Sequence, residues 1–245
     1  MKRAALFDMD NTLLRIETGM SWVRFLRSRG ELPARTFAKA LYWSAMYKLA
    51  VLDMDAVFTK LIEDLEGDPE SEMLAKCEVW HREHVSKEVA PGALVAIEQH
   101  RQAGDVIVLA TGSTQYAARP VARGVGIEHV LSSELQVDAA SGTFTGKPQA
   151  LCFGHHKVKL AEAWAARHDV DLGASTFYSD SYNDLPMLER VGRAIELGTV
   201  EPVRFVTAEP VQIIEHRVAP RVRGVVAGGQ VDPYVLVDAE RDGVE

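Results

Sequence analysis

Cysteine is scarce in this chain. Two of its 245 residues, Cys77 and Cys152, carry thiols, and they do not stand at CxxC spacing. A disulfide framework and a cysteine zinc site therefore find little support, and a reducing, cytoplasmic compartment is expected. Basic charge is also short: 27 Lys and Arg face 35 Asp and Glu, for a net charge of −8. With no cationic excess to replace phosphate counterions, neither nucleic acid nor an anionic membrane is an expected partner. Long apolar runs are missing as well. The most apolar stretch, 37–52, is broken by Lys39 and Lys48, short of the ~20 apolar residues that cross a bilayer. The opening MKRAALFDMD places two acids before any apolar h-region, so no signal peptide is expected. Repeats and low-complexity tracts are lacking too.

What is present is an ordinary globular composition. Hydrophobic residues make up 47% and charged residues 25%, which supports a packed core and argues against disorder. At about 150 residues per domain, the length suits one large domain or two small ones. The chain opens with an apolar strand, Ala4-Ala5-Leu6-Phe7, that runs into Asp8. Residues 18–88 read as helices. Phe37, Leu41, Ala45, Leu49 and Leu52 share one face, and Trp22, Trp43 and Trp80 are expected to pack a small bundle. Pro33 and the Glu66-Gly67-Asp68-Pro69 stretch mark its turns.

Beyond Pro91-Gly92 strands and helices alternate. A helix over 93–103, closed by Gly104, leads to an apolar strand over 106–110 and a helix over 115–123. A hairpin within 134–147, a helix over 157–167, a strand over 175–179, a helix over 185–190 and a strand over 194–197 follow. This alternation predicts an α/β fold: a doubly wound, Rossmann-like parallel sheet with helices on both faces and a helical insert after the first strand. The expected domains are a discontinuous core (1–16 and 89–200), a helical cap (17–88) and a C-terminal extension (201–245) with no assigned role.

Open α/β sheets bind ligands at the carboxyl ends of their strands. Those ends carry Asp8-Met9-Asp10-Asn11-Thr12, Thr111-Gly112-Ser113 and Ser179-Asp180-Ser181-Tyr182-Asn183-Asp184, with Lys157 at the start of the helix before the last. Carboxylates gathered in one crevice repel unless a cation sits among them, and all-oxygen ligands suit Mg²⁺. A divalent cation beside a lysine is a place for phosphate. Asp8 can then attack phosphorus. Asp10, two residues past the strand end, can protonate the leaving alkoxide and later deprotonate the attacking water.

The set FDMDNTL, LATGS, a lone Lys157 and YSDSYNDLPML resembles the haloacid dehalogenase superfamily of phosphohydrolases. More narrowly, the chain is similar to subfamily IB, the subgroup with the phosphoserine phosphatases, whose helical cap follows the first motif. The match runs from residue 4 to about Gly192. The resemblance implies Mg²⁺ as cofactor and an aspartyl-phosphate intermediate on Asp8, which would also ligate the metal. It implies Asp10 as acid/base and as a metal ligand through its backbone carbonyl. Thr111, Gly112, Lys157 and Asn183 would hold the phosphate, Asp180 would bind metal directly, and Asp184 directly or through water. Glu17 stands where phosphoserine phosphatases carry the glutamate that reads the substrate amine. Those enzymes also supply a cap arginine for the substrate carboxylate, and the matching stretch here, 59–64, offers only Lys60. The implied substrate is a small phosphorylated, amine-bearing metabolite, phosphoserine or histidinol phosphate. A monomer or homodimer is expected.

Competing readings differ in class. A phospho-receiver domain also gathers acids, a hydroxyl and a lysine around an aspartate, but it carries no helical insert and leaves Asp10 without a task. A phosphotransferase or mutase on the same fold would differ only in the acceptor. Lys159 competes with Lys157. His81 and His84 sit three apart with no third ligand and read as surface residues. His155 and His156 either approach the site or pack the helix entry. Arg221 and Arg223 are too few for a nucleic-acid patch.

Overall fold

The structure is a computed structural model, in which residues 1–38, 42, 54–197, 212–213 and 222–226 are described. Strand β1 (Ala4–Phe7) is buried along its whole length. The chain then passes through helices α1 (Thr18–Ser28), α2 (Met54–Glu63) and α3 (Glu70–Trp80). It returns through α4 (Pro91–Gln102), β2 (Val106–Thr114), α5 (Gln115–Gly124), β3 (His129–Asp138) and β4 (Thr143–Ala150). Next come α6 (Gly154–His168), β5 (Thr176–Ser179), α7 (Leu185–Arg190) and β6 (Arg193–Leu197), and then the short strands β7 (Gln212–Ile213) and β8 (Val222–Val226). The sheet order is β4-β3-β2-β1-β5-β6-β8-β7.

The pairs β3-β2, β2-β1, β1-β5 and β5-β6 are parallel, so the sheet is doubly wound about β1 as expected. The pleat sends alternate side chains to opposite faces. Ala5 and Phe7 join one core with Ala93 and Ile97 of α4 and Val121 of α5. Ala4 and Leu6 join the other with Ala161 and Trp164 of α6 and Met187 of α7. Leu6 and Phe7 are fully buried, and at ~1.5–3 kcal/mol for each such side chain they fix both helix layers to the central strand. Gly104 ends α4 at φ 78°, where the Asp105 amide donates to the His100 carbonyl at 2.9 Å.

The helical insert leaves and rejoins the sheet side by side. Leu14 and Val89 form an antiparallel bridge, and the Arg15 amide donates to Glu88 O at 2.8 Å. Trp80 is buried, packs edge-on against Trp22 at 5.5 Å and donates its indole N–H to Ser21 Oγ at 3.0 Å. A second tie runs to the β3–β4 hairpin. The Gly67 amide donates to Phe144 O at 2.9 Å and the Glu70 amide to Gly142 O at 3.0 Å. Beside them Ile62 and Cys77 pack with Tyr116, Leu135 and Phe144.

Several boundaries differ from those read off the sequence. Strand β2 continues past Ala110 to Thr114, and α6 begins at Gly154, which puts Lys157 in its first turn. Strand β3 starts at His129: its first half runs parallel to β2 and its second half antiparallel to β4. Alternation of polar and apolar residues cannot announce a change of partner within one strand. Strands β8 and β7 add an antiparallel edge beside β6. Of the helical face drawn over 37–52, Leu41, Ala45, Leu49 and Leu52 lie outside the described residues, as do Trp43 and Arg221. Both cysteines are buried and unbridged. Among the described residues no helix is long and apolar enough to cross a membrane.

Candidate active site

Asp8 ends β1 beside β5, its amide donating to Tyr178 O at 2.8 Å. Beneath it Phe7 stacks on Tyr178 with ring centroids 4.4 Å apart. The chain then doubles back in a tight turn whose corner, Asn11, sits at φ 54°, a left-handed conformation that Asn tolerates better than most residues. The turn returns Asp10 toward the start of α1, where Asp10 Oδ1 accepts the Thr18 amide at 3.0 Å. A carboxylate at that place satisfies one of the helix's open N–H groups.

Lys157 enters from the opposite side. It is 2% exposed, and its Nζ lies 2.9 Å from Asp8 Oδ1 and 2.6 Å from Asp184 Oδ1. Lys159, two residues on, is exposed: positions two apart on a helix face nearly opposite ways, and only one can point inward. The other oxygen of Asp184 accepts Ser179 Oγ at 2.8 Å. Asp180 donates its amide to Thr12 Oγ1 at 3.1 Å, which ties the β5 end to the turn after β1. At the end of β2, Thr111 is buried, its Oγ1 accepts the Ser113 amide at 3.1 Å, and Ser113 Oγ meets Thr18 Oγ1 at 2.9 Å.

Lys157 thus touches both Asp8 and Asp184, with Asp10, Asp180, Thr111 and Gly112 at the surrounding strand ends and the turns that follow them. Asn183 stands in the turn before Asp184, its amide donating to Ser181 Oγ at 3.2 Å. Glu17 is half-buried immediately before α1, close enough to Asp10 to raise its pKa. His156 turns away from Lys157 to meet Asp55 of α2 at 2.8 Å, and His84 is exposed. Thr12 and Ser179, which hold two of the acids, lie inside the motifs, yet a hydroxyl flanking an aspartate announces no such task in sequence.

The electrostatics are unbalanced. Burial pushes Asp8 well above the ordinary carboxylate range, Lys157 opposes this, and Asp184 and Asp10 add to it. Burial likewise lifts Asp10 to about 6 and, with the charges of Asp184 and Asp10, Asp180 to about 7. Burial works against the Lys157 charge, but Asp184 and Asp8 outweigh it and hold its pKa above the usual lysine value. One ammonium serves a cluster of acids, and the remaining oxygens suit a hard divalent cation. Among the described residues no three His, Cys, Asp or Glu side chains converge as a finished metal cage. The donor set fits the ion.

Comparison with known proteins supports the same identity. The family model for haloacid dehalogenase-like hydrolases matches residues 5–189. A histidinol-phosphatase of Neisseria meningitidis is 26% identical over 205 residues, spanning 81% of this chain and 91% of that protein. A phosphoserine phosphatase of Mycobacterium tuberculosis is 29% identical over 211 residues, spanning 84% and 68%. A solved structure from Bordetella pertussis, a protein of unknown function, shares 28% identity at a TM-score of 0.70 and covers 79% of this chain and 89% of its own. With its acids and the buried Lys157 gathered at the strand ends of this sheet, the chain belongs to the haloacid dehalogenase-like hydrolases, as one of that family's phosphatases.

Proposed function

We propose that this phosphatase is a Mg²⁺-dependent phosphomonoester hydrolase that acts on a small amine-bearing metabolite through an aspartyl-phosphate on Asp8. The observation that carries the proposal is the Lys157 ammonium, set 2.9 Å from Asp8 and 2.6 Å from Asp184. A cation in that place lets a carboxylate approach a phosphate dianion that would otherwise repel it. Asp8 attacks phosphorus, the bond to the leaving oxygen breaks, and Asp10 gives that oxygen its proton. Asp10 then takes a proton from water, whose oxygen attacks the phosphorus. The bond to Asp8 breaks, releasing inorganic phosphate and the Asp8 carboxylate. A pKa near 6 suits Asp10 to both halves of this cycle. Thr111 Oγ, Gly112 N–H, Lys157 and Asn183 hold phosphate oxygens.

Asp8, Asp180, Asp184 and the Asp10 carbonyl would hold Mg²⁺, whose chemistry there is to neutralise phosphate charge. EDTA should abolish turnover and Mg²⁺ restore it, with Ca²⁺ a poor substitute because it prefers more ligands at longer distances. Full activity in chelator would remove the metal from the scheme. For the acid, Asp10→Asn should slow alkyl phosphates by ~10²–10⁴ while sparing p-nitrophenyl phosphate, whose leaving group needs little protonation. Equal losses on both, with metal affinity unchanged, would refute the assignment.

The core (1–16 and 89–200), cap (17–88) and extension (201–245) are proposed as the domains, supported by the bridge between Leu14 and Val89 where the insert begins and ends. Glu17 sits at that junction, beside Asp10, and an acid there suits a cationic leaving group. In the stretch that matches the cap arginine only Lys60, exposed on α2, could meet a substrate carboxylate; phosphoserine is the default substrate by resemblance and histidinol phosphate its closest rival. Phosphate release from phosphoserine, histidinol phosphate and phosphocholine tests the choice. Glu17→Gln should raise KM for the amine substrate ~10-fold and leave p-nitrophenyl phosphate unchanged. A preferred substrate without nitrogen would overturn the role of Glu17 and spare the phosphatase. The buried, unbridged cysteines support a cytoplasmic setting.

A further inference from the structure

Phe153 lies where the lysine helix, the end of β2 and the helical insert meet. It immediately precedes α6, and its carbonyl accepts the amides of His156 at 2.8 Å and Lys157 at 3.3 Å. Its ring lies so close to Gly112 that a Cβ added there would stand 2.6 Å from ring Cδ1. Gly112 is not among the residues at positive φ. A side chain at 112 would thus have to displace the aromatic ring, while no positive φ stands in its way. The same ring meets Phe58 of α2 edge-on, with centroids 5.4 Å apart at 65°. One turn earlier on α2, Asp55 Oδ2 meets His156 Nε2 at 2.8 Å. Helix α2 therefore rests on the entry to α6 at two points, the ring of Phe153 and the imidazole of His156.

We infer that Phe153 is a positioning residue for the phosphate-binding strand end: its ring holds the Gly112 peptide in register with Lys157, and Phe58 makes that register depend on the seating of α2. The inference rests on the phosphate-holding roles proposed for Gly112 and Lys157. Its chemical consequence is that seating α2 aligns the amide of Gly112, so that contacts made by the insert are spent on orienting the phosphate.

A double-mutant cycle tests this, because two residues that act through one contact lose less together than the product of their separate losses. The measurements are kcat and KM for p-nitrophenyl phosphate with Mg²⁺, inhibition by inorganic phosphate, and thermal melting as a check on folding. Gly112→Ala should lower kcat/KM ~100-fold and Phe153→Ala ~10-fold, the scale of a misplaced binding group. Combined, the two should recover to within a few-fold of Phe153→Ala alone, in place of the ~1000-fold loss that independent effects would give. Phe58→Ala should weaken phosphate inhibition in the wild type and add nothing in the Phe153→Ala background. Phe153→Val, which also removes every ring atom, supplies the same cycle if the alanine variant does not fold. Multiplicative losses, or unchanged phosphate inhibition in Phe153→Ala, would overturn the role of Phe153. A wild type that neither turns over p-nitrophenyl phosphate nor binds phosphate would instead overturn the phosphatase chemistry.

Discussion

Asp8→Asn should eliminate phosphate release while leaving a folded protein. An amide is a far poorer nucleophile than a carboxylate and cannot form the acyl phosphate, so the loss should exceed the ~10²–10⁴ that one acid/base contribution supplies. Stability should move the other way or not at all. Burial and the neighbouring acids already hold the Asp8 pKa well above the ordinary range, so the folded state bears the strain of that charge. A neutral isostere removes the strain and leaves Lys157 paired with Asp184 at 2.6 Å. Beryllium fluoride with Mg²⁺, a mimic of the acyl phosphate, should bind the wild type and not the variant. Turnover above about one hundredth of wild type, measured against the mutant's own metal affinity, would rule out covalent catalysis by Asp8.

Lys157→Met is the second large effect, and here fold and activity should fall together. Removing one partner from a buried ion pair leaves charge uncompensated and costs ~3–5 kcal/mol. Lys157 has two partners, Asp8 and Asp184, so the upper part of that range is expected. The loss should depend on pH, with a definite sign. Without the ammonium the folded-state pKa of Asp8 rises further above its unfolded value. An acid raised on folding is penalised at high pH, and the penalty fades as pH falls through the raised value and vanishes below the unfolded value of about 3.9. Urea denaturation in EDTA should therefore show a larger deficit at pH 8 than at pH 5. Lys157→Arg should not restore activity, since the planar guanidinium does not fit a site shaped for an ammonium at 2% exposure. A deficit below ~1 kcal/mol at pH 8, the value of a surface pair, would mean that Lys157 does not hold these charges.

The physical signals for the sheet are local, and they were plain in the chain. Residues 4–7 and 106–110 are apolar throughout because both faces of a parallel sheet are covered. Gly104 marks the end of α4 because its backbone must turn left-handed. Asp8, Asp10, Asp180 and Asp184 could be placed on a common edge because strand ends in such a sheet share one side. The hairpin over 134–147 is visible in this way, whereas the first half of β3 as a parallel partner of β2, the strands of the tail and the true start of α6 are not. Each depends on which partner is adjacent.

Sequence alone determined the alternation of strands and helices in the core and the strand ends where the acids gather. Both follow from periodicity and turn chemistry within a few residues. Lys157 is singled out over Lys159 only by the family resemblance. Tertiary structure decided which groups touch. Lys157 and Asp8 are 149 residues apart, yet lie within 2.9 Å of each other, while Lys159 faces solvent. It also decided that Gly112 is kept small by Phe153, and that His156 turns to Asp55 instead of the phosphate site. Contacts of that kind arise only when separate elements are packed, because close packing, and no local rule, fixes the one side chain that fills each space.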